Sequence, residues 1–122
     1  MKYDSQQAQT DSVVKSLIDR LEELKAEDIS VIEFEKNKWL FDKALIATGS
    51  SSRHVATLAD KLCDLLKEEY SIFTKSEGYQ AAEWILIDAG SVIINIFQEE
   101  TRRKYDLEEI WKKIGSAEKA LK

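Results

Sequence analysis

Val13, Val14, Leu17, Ile18, Leu21 and Leu24 recur three and four residues apart, the spacing that puts side chains on one face of a helix. With Asp11 or Ser12 as N-cap, this pattern predicts a helix from there to about Asp28. The polar, Gln-rich residues 1–10 before it are expected to form a flexible tail. The period then changes. Ile32 and Phe34 alternate with Glu33 and Glu35, as in a half-buried strand over Ile29–Glu35. Lys36-Asn37-Lys38 reads as a turn, and Trp39 to Thr48 as a second strand, almost wholly apolar at Ala44-Leu45-Ile46-Ala47. Gly49-Ser50-Ser51-Ser52 breaks that strand and supplies caps for a second helix. In it Val55, Leu58, Ala59, Leu62 and Leu66 keep the helical spacing to about Glu69.

Tyr70 to Ala82 is looser, with Gly78 as a turn and a short strand expected at Ser71–Thr74. Two strong strands follow, Glu83–Asp88 and Ser91–Gln98, joined by Ala89-Gly90 in a tight hairpin. Glu99 and Glu100 stand three and four residues before Arg102, Arg103 and Lys104, the favourable direction for helix ion pairs. Asp106 with Glu109 resembles a capping box, Leu107, Ile110, Trp111 and Ile114 form an inward face, and Gly115 closes the helix. Residues 115–122 are expected to fray. The order αββα(β)ββα predicts a single α/β domain over 11–114, a mixed β-sheet with helices packed on it.

Trp84-Ile85-Leu86-Ile87 alternates between sheet faces, yet both of its faces are apolar, and Val92-Ile93-Ile94 repeats the situation. Strands of this kind need cover on both sides, and three helices of modest length must supply it. Two readings stay open. All of this surface is core, or part of one face, carrying Trp84 and Leu86, is left as a docking patch.

Composition narrows the chemistry. The chain has 122 residues, no Pro and only 4 Gly, so no long linker divides it. Cys63 is the one cysteine and His54 the one histidine, which leaves no internal disulfide and no cysteine- or histidine-based metal cluster to build. Cys63 lies beside the apolar stripe and is expected to be a buried, inert thiol, and Arg53-His54 a solvated pair. A net charge of −5 disfavours broad binding to bare nucleic acid and suits a basic protein partner. No apolar run approaches the length of a membrane span, and the first residues lack the pattern of a signal or transit peptide, so the chain is expected to be cytoplasmic.

The segment DKALIATGSSSRHVATLADKL from Asp42 and the run EWILIDAGSVIINIFQEETRRKYDLEEIW from Glu83 resemble the ribosomal silencing factor family (Iojap/RsfS). The likeness runs from about Val13 to Trp111. It is densest at Ala47 through Val55, at Trp84 through Gly90, and at Tyr105-Asp106-Leu107-Glu108 with Trp111. The resemblance implies a protein that binds the large ribosomal subunit at ribosomal protein L-fourteen and blocks joining of the small subunit. It also implies that Trp84 lies in that contact, with Leu86 on the same side and Tyr105 at its rim. Glu83 and Asp88 are then acids available to a basic partner, and self-association as a homodimer off the ribosome is a further implication. The sequence departs from the family pattern at Ser91 and Asn95, where an Asp and a His are usual, at Lys43, and over Lys36–Leu40.

The family's core is similar to that of nucleotidyltransferases, so the fold implied is of nucleotidyltransferase-like topology and an enzyme is the competing reading. Gly49-Ser50 could cradle a phosphate at a helix N-terminus. The second requirement, paired acids on one strand face to hold Mg²⁺, is missing after Gly49, because Asp88 stands alone. The expectation is therefore a binding module without catalytic residues, metal or cofactor. A dimeric scaffold using the same apolar strand is the other alternative.

Overall fold

The computed structural model describes residues 5–34, 40–106 and 109. The elements are α1 (Ser5–Glu23), β1 (Glu27–Glu33), β2 (Lys43–Gly49), α2 (Ser52–Tyr70), β3 (Lys75–Glu77), β4 (Trp84–Asp88), β5 (Val92–Gln98) and α3 (Glu99–Tyr105). They follow the order expected from the hydrophobic pattern. The five strands form one mixed sheet in the order β1-β2-β5-β4-β3. Only β2 and β5 run parallel, and the remaining neighbours are antiparallel.

Strand alternation gives this sheet two unlike faces. On one, Leu45, Ala47, Ile85, Ile87, Ile94 and Ile96 pack against α1 and α2, where Leu17, Leu21, Leu58 and Leu62 are fully buried. Burying each such side chain stabilises the fold by roughly 1.5–3 kcal/mol. On the other, Ile32, Phe34, Ala44, Ile46, Ile93 and Phe97 form a smaller cluster, against which Phe41, Trp84 and Leu86 pack only in part.

Several boundaries differ from expectation. The helix starts at Ser5, so residues 5–10 are not a tail. Thr10 is 2 % exposed, and its hydroxyl shares a 2.8 Å hydrogen bond with the Ser91 hydroxyl. No apolar spacing marks this first turn and a half, which is why pattern reading misses it. At the other end α1 stops at Glu23, short of Asp28. Lys25 takes a left-handed φ of 69°, Lys25 N–H donates to Glu22 C=O at 3.1 Å, and Ala26 N–H donates to Leu21 C=O at 2.9 Å. This is a Schellman closure made without the usual glycine, so no residue type announces it. Strand β1 accordingly begins at Glu27 and carries an irregularity between Glu27 and Ser30, with Asp28 at φ 50°.

The short strand lies at Lys75–Glu77 and not at Ser71–Thr74. Residues 71–72 are spent on closing α2, where Ser71 N–H and Ile72 N–H donate to Lys67 C=O and Leu66 C=O at 3.1 and 2.9 Å. Asp106 is the left-handed C-cap of α3, its N–H donating to Arg102 C=O at 3.0 Å, and not an extended N-cap. The second strand begins at Lys43, and the described residues before it, Leu40, Phe41 and Asp42, are not part of it, so it does not run from Trp39. The expected turn at Lys36-Asn37-Lys38, and Leu107, Ile110, Trp111, Ile114 and residues 115–122, lie outside the described residues. Among the described residues no helix is long and apolar enough to cross a membrane.

Polar ties fasten α1 and α2 to the sheet. Lys43 Nζ lies 2.8 Å from Glu33 Oε2 and 3.6 Å from Asp11 Oδ1. Burial pulls the Lys43 pKa down, but its hydrogen bond to Glu33 and the charges of Glu33 and Asp11 outweigh that and hold it above the usual lysine value. A hydrogen bond from Tyr79 to Asp60 of α2 docks the β3–β4 connection on that helix, and burial together with this bond pushes the Tyr79 hydroxyl well above the usual tyrosine range.

Candidate functional site

Strand β4 resolves the open question about its two apolar faces. Ile85 and Ile87 are fully buried on the helix side, while Trp84 and Leu86 are half-buried on the other, with Asp88 exposed beyond them. The register sets Trp84 opposite Phe97, Leu86 opposite Asn95 and Asp88 opposite Ile93. The Trp84 ring stacks on Phe97, with centroids 5.2 Å apart and planes 28° apart. Its Nε1–H donates to Asn95 Oδ1 at 3.1 Å. The indole is therefore fixed in place with part of its surface in solvent.

Tyr105 reaches the same place from α3. Its ring centroid is 6.5 Å from that of Trp84, it is 50 % exposed, and Lys104 Nζ sits 5.5 Å from its ring. The structure thus brings Trp84, Leu86 and Tyr105 onto one side of the sheet. Glu83 is exposed beside Tyr105, in a shallow depression shared with Gln98, Glu100, Thr101 and Lys104. Asp88 is at the opposite end of β4, where its Oδ1 accepts the Gly90 N–H at 3.0 Å and its register partner is Lys75. The two acids bracket the strand and do not share one cluster. Gly78 lets the β3–β4 connection cross close to this strand: it has a φ of 101°, and a Cβ there would run into the Trp84 carbonyl oxygen.

Two supporting residues carry no role in the sequence reading. Asn95 is 0 % exposed in a strand otherwise apolar from Val92 to Phe97, and a lone polar residue inside such a run is the signal that marks it. Arg102 Nη1 donates to Asp28 C=O and to the Thr48 hydroxyl, both at 2.6 Å. That clamp ties α3, which has no buried residue of its own, to β1 and β2. Charge spacing points instead to helix ion pairs, and one of them is present, Arg103 Nη2 to Glu99 Oε2 at 3.5 Å.

The glycine-serine loop before α2 is closed by the protein itself. His54 Nδ1 accepts the Ser50 N–H at 2.9 Å, and its Nε2 donates to Leu24 C=O at 2.8 Å, which fixes the neutral Nε2–H tautomer. Ser51 Oγ accepts the His54 N–H at 3.0 Å as the N-cap. A Cβ on Gly49 would approach Val55 Cγ2 to 2.8 Å, so close strand–helix packing accounts for this glycine. His54 is therefore a half-buried clasp and not a solvated residue, and Ser50 N–H, the donor a phosphate would use, is already engaged. Cys63 is half-buried and not fully buried, and its sulfur accepts a hydrogen bond from Thr74 Oγ1 at 3.3 Å. Among the described residues no group of three or more His, Cys, Asp and Glu could hold a metal ion.

Comparison with known proteins gives a consistent result. The family described as "Ribosomal silencing factor during starvation" matches residues 6–121. Ribosomal silencing factor RsfS of Zymomonas mobilis is 38% identical over 99 residues, 81% of this chain and 74% of that protein. A crystal structure of a Chromobacterium violaceum protein superposes with a TM-score of 0.77 at 35% identity, covering 83% of this chain and 84% of that one. The mouse protein named "Mitochondrial assembly of ribosomal large subunit protein 1" is 32% identical over 101 residues, 80% of this chain and 44% of that protein.

Proposed function

The chain belongs to the ribosomal silencing factor family, and from that membership we propose how it carries out its ribosome-associated role in silencing translation: it docks on the large ribosomal subunit at ribosomal protein L-fourteen and so keeps the small subunit from joining. The observation that carries this reading is the half-buried Trp84 beside Leu86 and Tyr105 on the side of the sheet away from α1 and α2. A rigid indole ringed by aliphatic and aromatic surface is the usual composition of an interface anchor, and truncating one costs about 2 kcal/mol or more of binding.

The mechanism is steric. A bound domain of this size occupies space that the small subunit requires, and no bond needs to be made or broken. The net charge of −5, with Glu83 and Asp88 at the two ends of β4, suits a basic ribosomal protein, which such a field attracts from solution. The name of the mouse relative, which speaks of large-subunit assembly, supports the choice of the large subunit. The cytoplasm is the compartment this role requires.

The test is sedimentation of the protein with isolated large and isolated small subunits, with Trp84→Ala alongside. The protein is expected to travel with large subunits alone, and the variant to bind about 30-fold more weakly. Binding of the variant at parental strength removes Trp84 as the anchor, and absence of binding by the parent removes the docking reading. A concentration-dependent dimer of free protein that Trp84→Ala dissociates would place the same face in self-association.

A further inference from the structure

We propose that Asn95 is a positioning residue for the docking face, holding the Trp84 indole in the pose a partner meets, and that it does so at the expense of the fold's own stability. This rests on the docking reading above. Strand β5 is buried throughout Val92–Phe97, and Asn95 is the one polar residue in that run. Its side chain lies between Leu86 of β4 and Ile46 of β2 in the sheet register, at the centre of the face opposite the helices. Oδ1 accepts the Trp84 Nε1–H at 3.1 Å. Among the described residues, the buried Nδ2 has no hydrogen-bond partner.

A buried primary amide with two unused N–H groups is a net loss compared with an apolar side chain of the same shape, and leucine is close to that shape. What leucine lacks is the acceptor. Stacking on Phe97 leaves the indole free to slide and turn in its plane, whereas a hydrogen bond at Nε1 pins its edge. Pinning the ring before contact reduces the ordering that association would otherwise require. Histidine can do the same work, because its Nδ1 is bonded to Cγ just as Asn Oδ1 is and can accept from Trp84.

Three variants decide the matter: Asn95→Leu, Asn95→His and Trp84→Ala. Each is followed by its urea midpoint, by the NMR resonance of the Trp84 indole N–H (identified by its loss in Trp84→Ala), and by co-sedimentation with isolated large subunits. Asn95→Leu is expected to keep or raise the urea midpoint, to move the indole resonance, and to weaken large-subunit binding about five- to ten-fold. Asn95→His is expected to bind within about two-fold of the parent. An Asn95→Leu protein that fails to fold makes Asn95 a structural residue and overturns the inference. So does one that folds and binds like the parent while Trp84→Ala does not bind. If Trp84→Ala also binds like the parent, the docking reading itself has failed.

Discussion

The two sides of strand β4 both carry large apolar side chains and have different physical fates. Ile85 and Ile87 meet α1 and α2 and are sealed, while Trp84 and Leu86, one residue out of step, stop half-buried beside a helix that buries nothing of its own. The difference is in what lies opposite. The helix side is closed by two long amphipathic helices, each of 19 residues. The other side is closed among the described residues by its own aromatic rings, one amide and the Arg102 clamp. An apolar strand is thus sealed core on one side and half-open on the other, the side proposed above for docking. Hydrophobicity alone does not separate the two roles, and cover does.

The comparison can be broken first at its strongest point. Ile85→Ala empties a sealed site and is expected to cost about 2–5 kcal/mol of unfolding free energy. Leu86→Ala, its neighbour on the half-open side, should cost far less because its surroundings already admit solvent. Urea unfolding of the pair measures both, and equal losses would erase the distinction between the two faces.

The next effect lies at the clamp. Arg102→Ala removes a charged donor from Asp28 C=O and the Thr48 hydroxyl and is expected to cost about 1.5–3 kcal/mol. Faster hydrogen exchange should follow in α3, with that of α2 unchanged. Uniform acceleration across the molecule would mean that Arg102 supports the whole fold and not the placement of α3.

The smallest effect is at Lys43. Its folded pKa is raised, so its ties to Glu33 and Asp11 are fully present below the ordinary lysine value of 10.5 and are lost as the pH climbs through the higher folded value. Both carboxylates are exposed, so Lys43→Met should cost only about 0.5–1 kcal/mol at pH 8. The gap between parent and variant in urea should close under strongly alkaline conditions, and a gap unchanged with pH would mean that packing of the lysine stem is its source.

How far these features can be read from sequence follows the same physical line. The strands around Ala89-Gly90 are legible as short continuous apolar runs bounded by a turn, and the α2 stripe because its apolar residues repeat at helical spacing. The end of α1 is not, because its Schellman turn is built on Lys25 where a glycine would have been the marker. Trp84, Leu86 and Tyr105 can be named from the sequence, but their meeting depends on the path of α3, which Arg102 sets by reaching a carbonyl and a hydroxyl more than 50 residues away. Such a contact has no periodicity and leaves no trace in charge spacing. Asn95 stands out as polar in an apolar run, yet only the β4–β5 register shows that its oxygen serves the indole.

The most direct test of the docking surface is a photo-crosslinking residue placed at position 86 in one protein and at position 61, on the exposed side of α2, in another. After irradiation with isolated large subunits, the protein labelled at position 86 should form a covalent adduct with ribosomal protein L-fourteen, and the one labelled at position 61 should not. The reverse outcome would put the contact on the helix side and contradict the account.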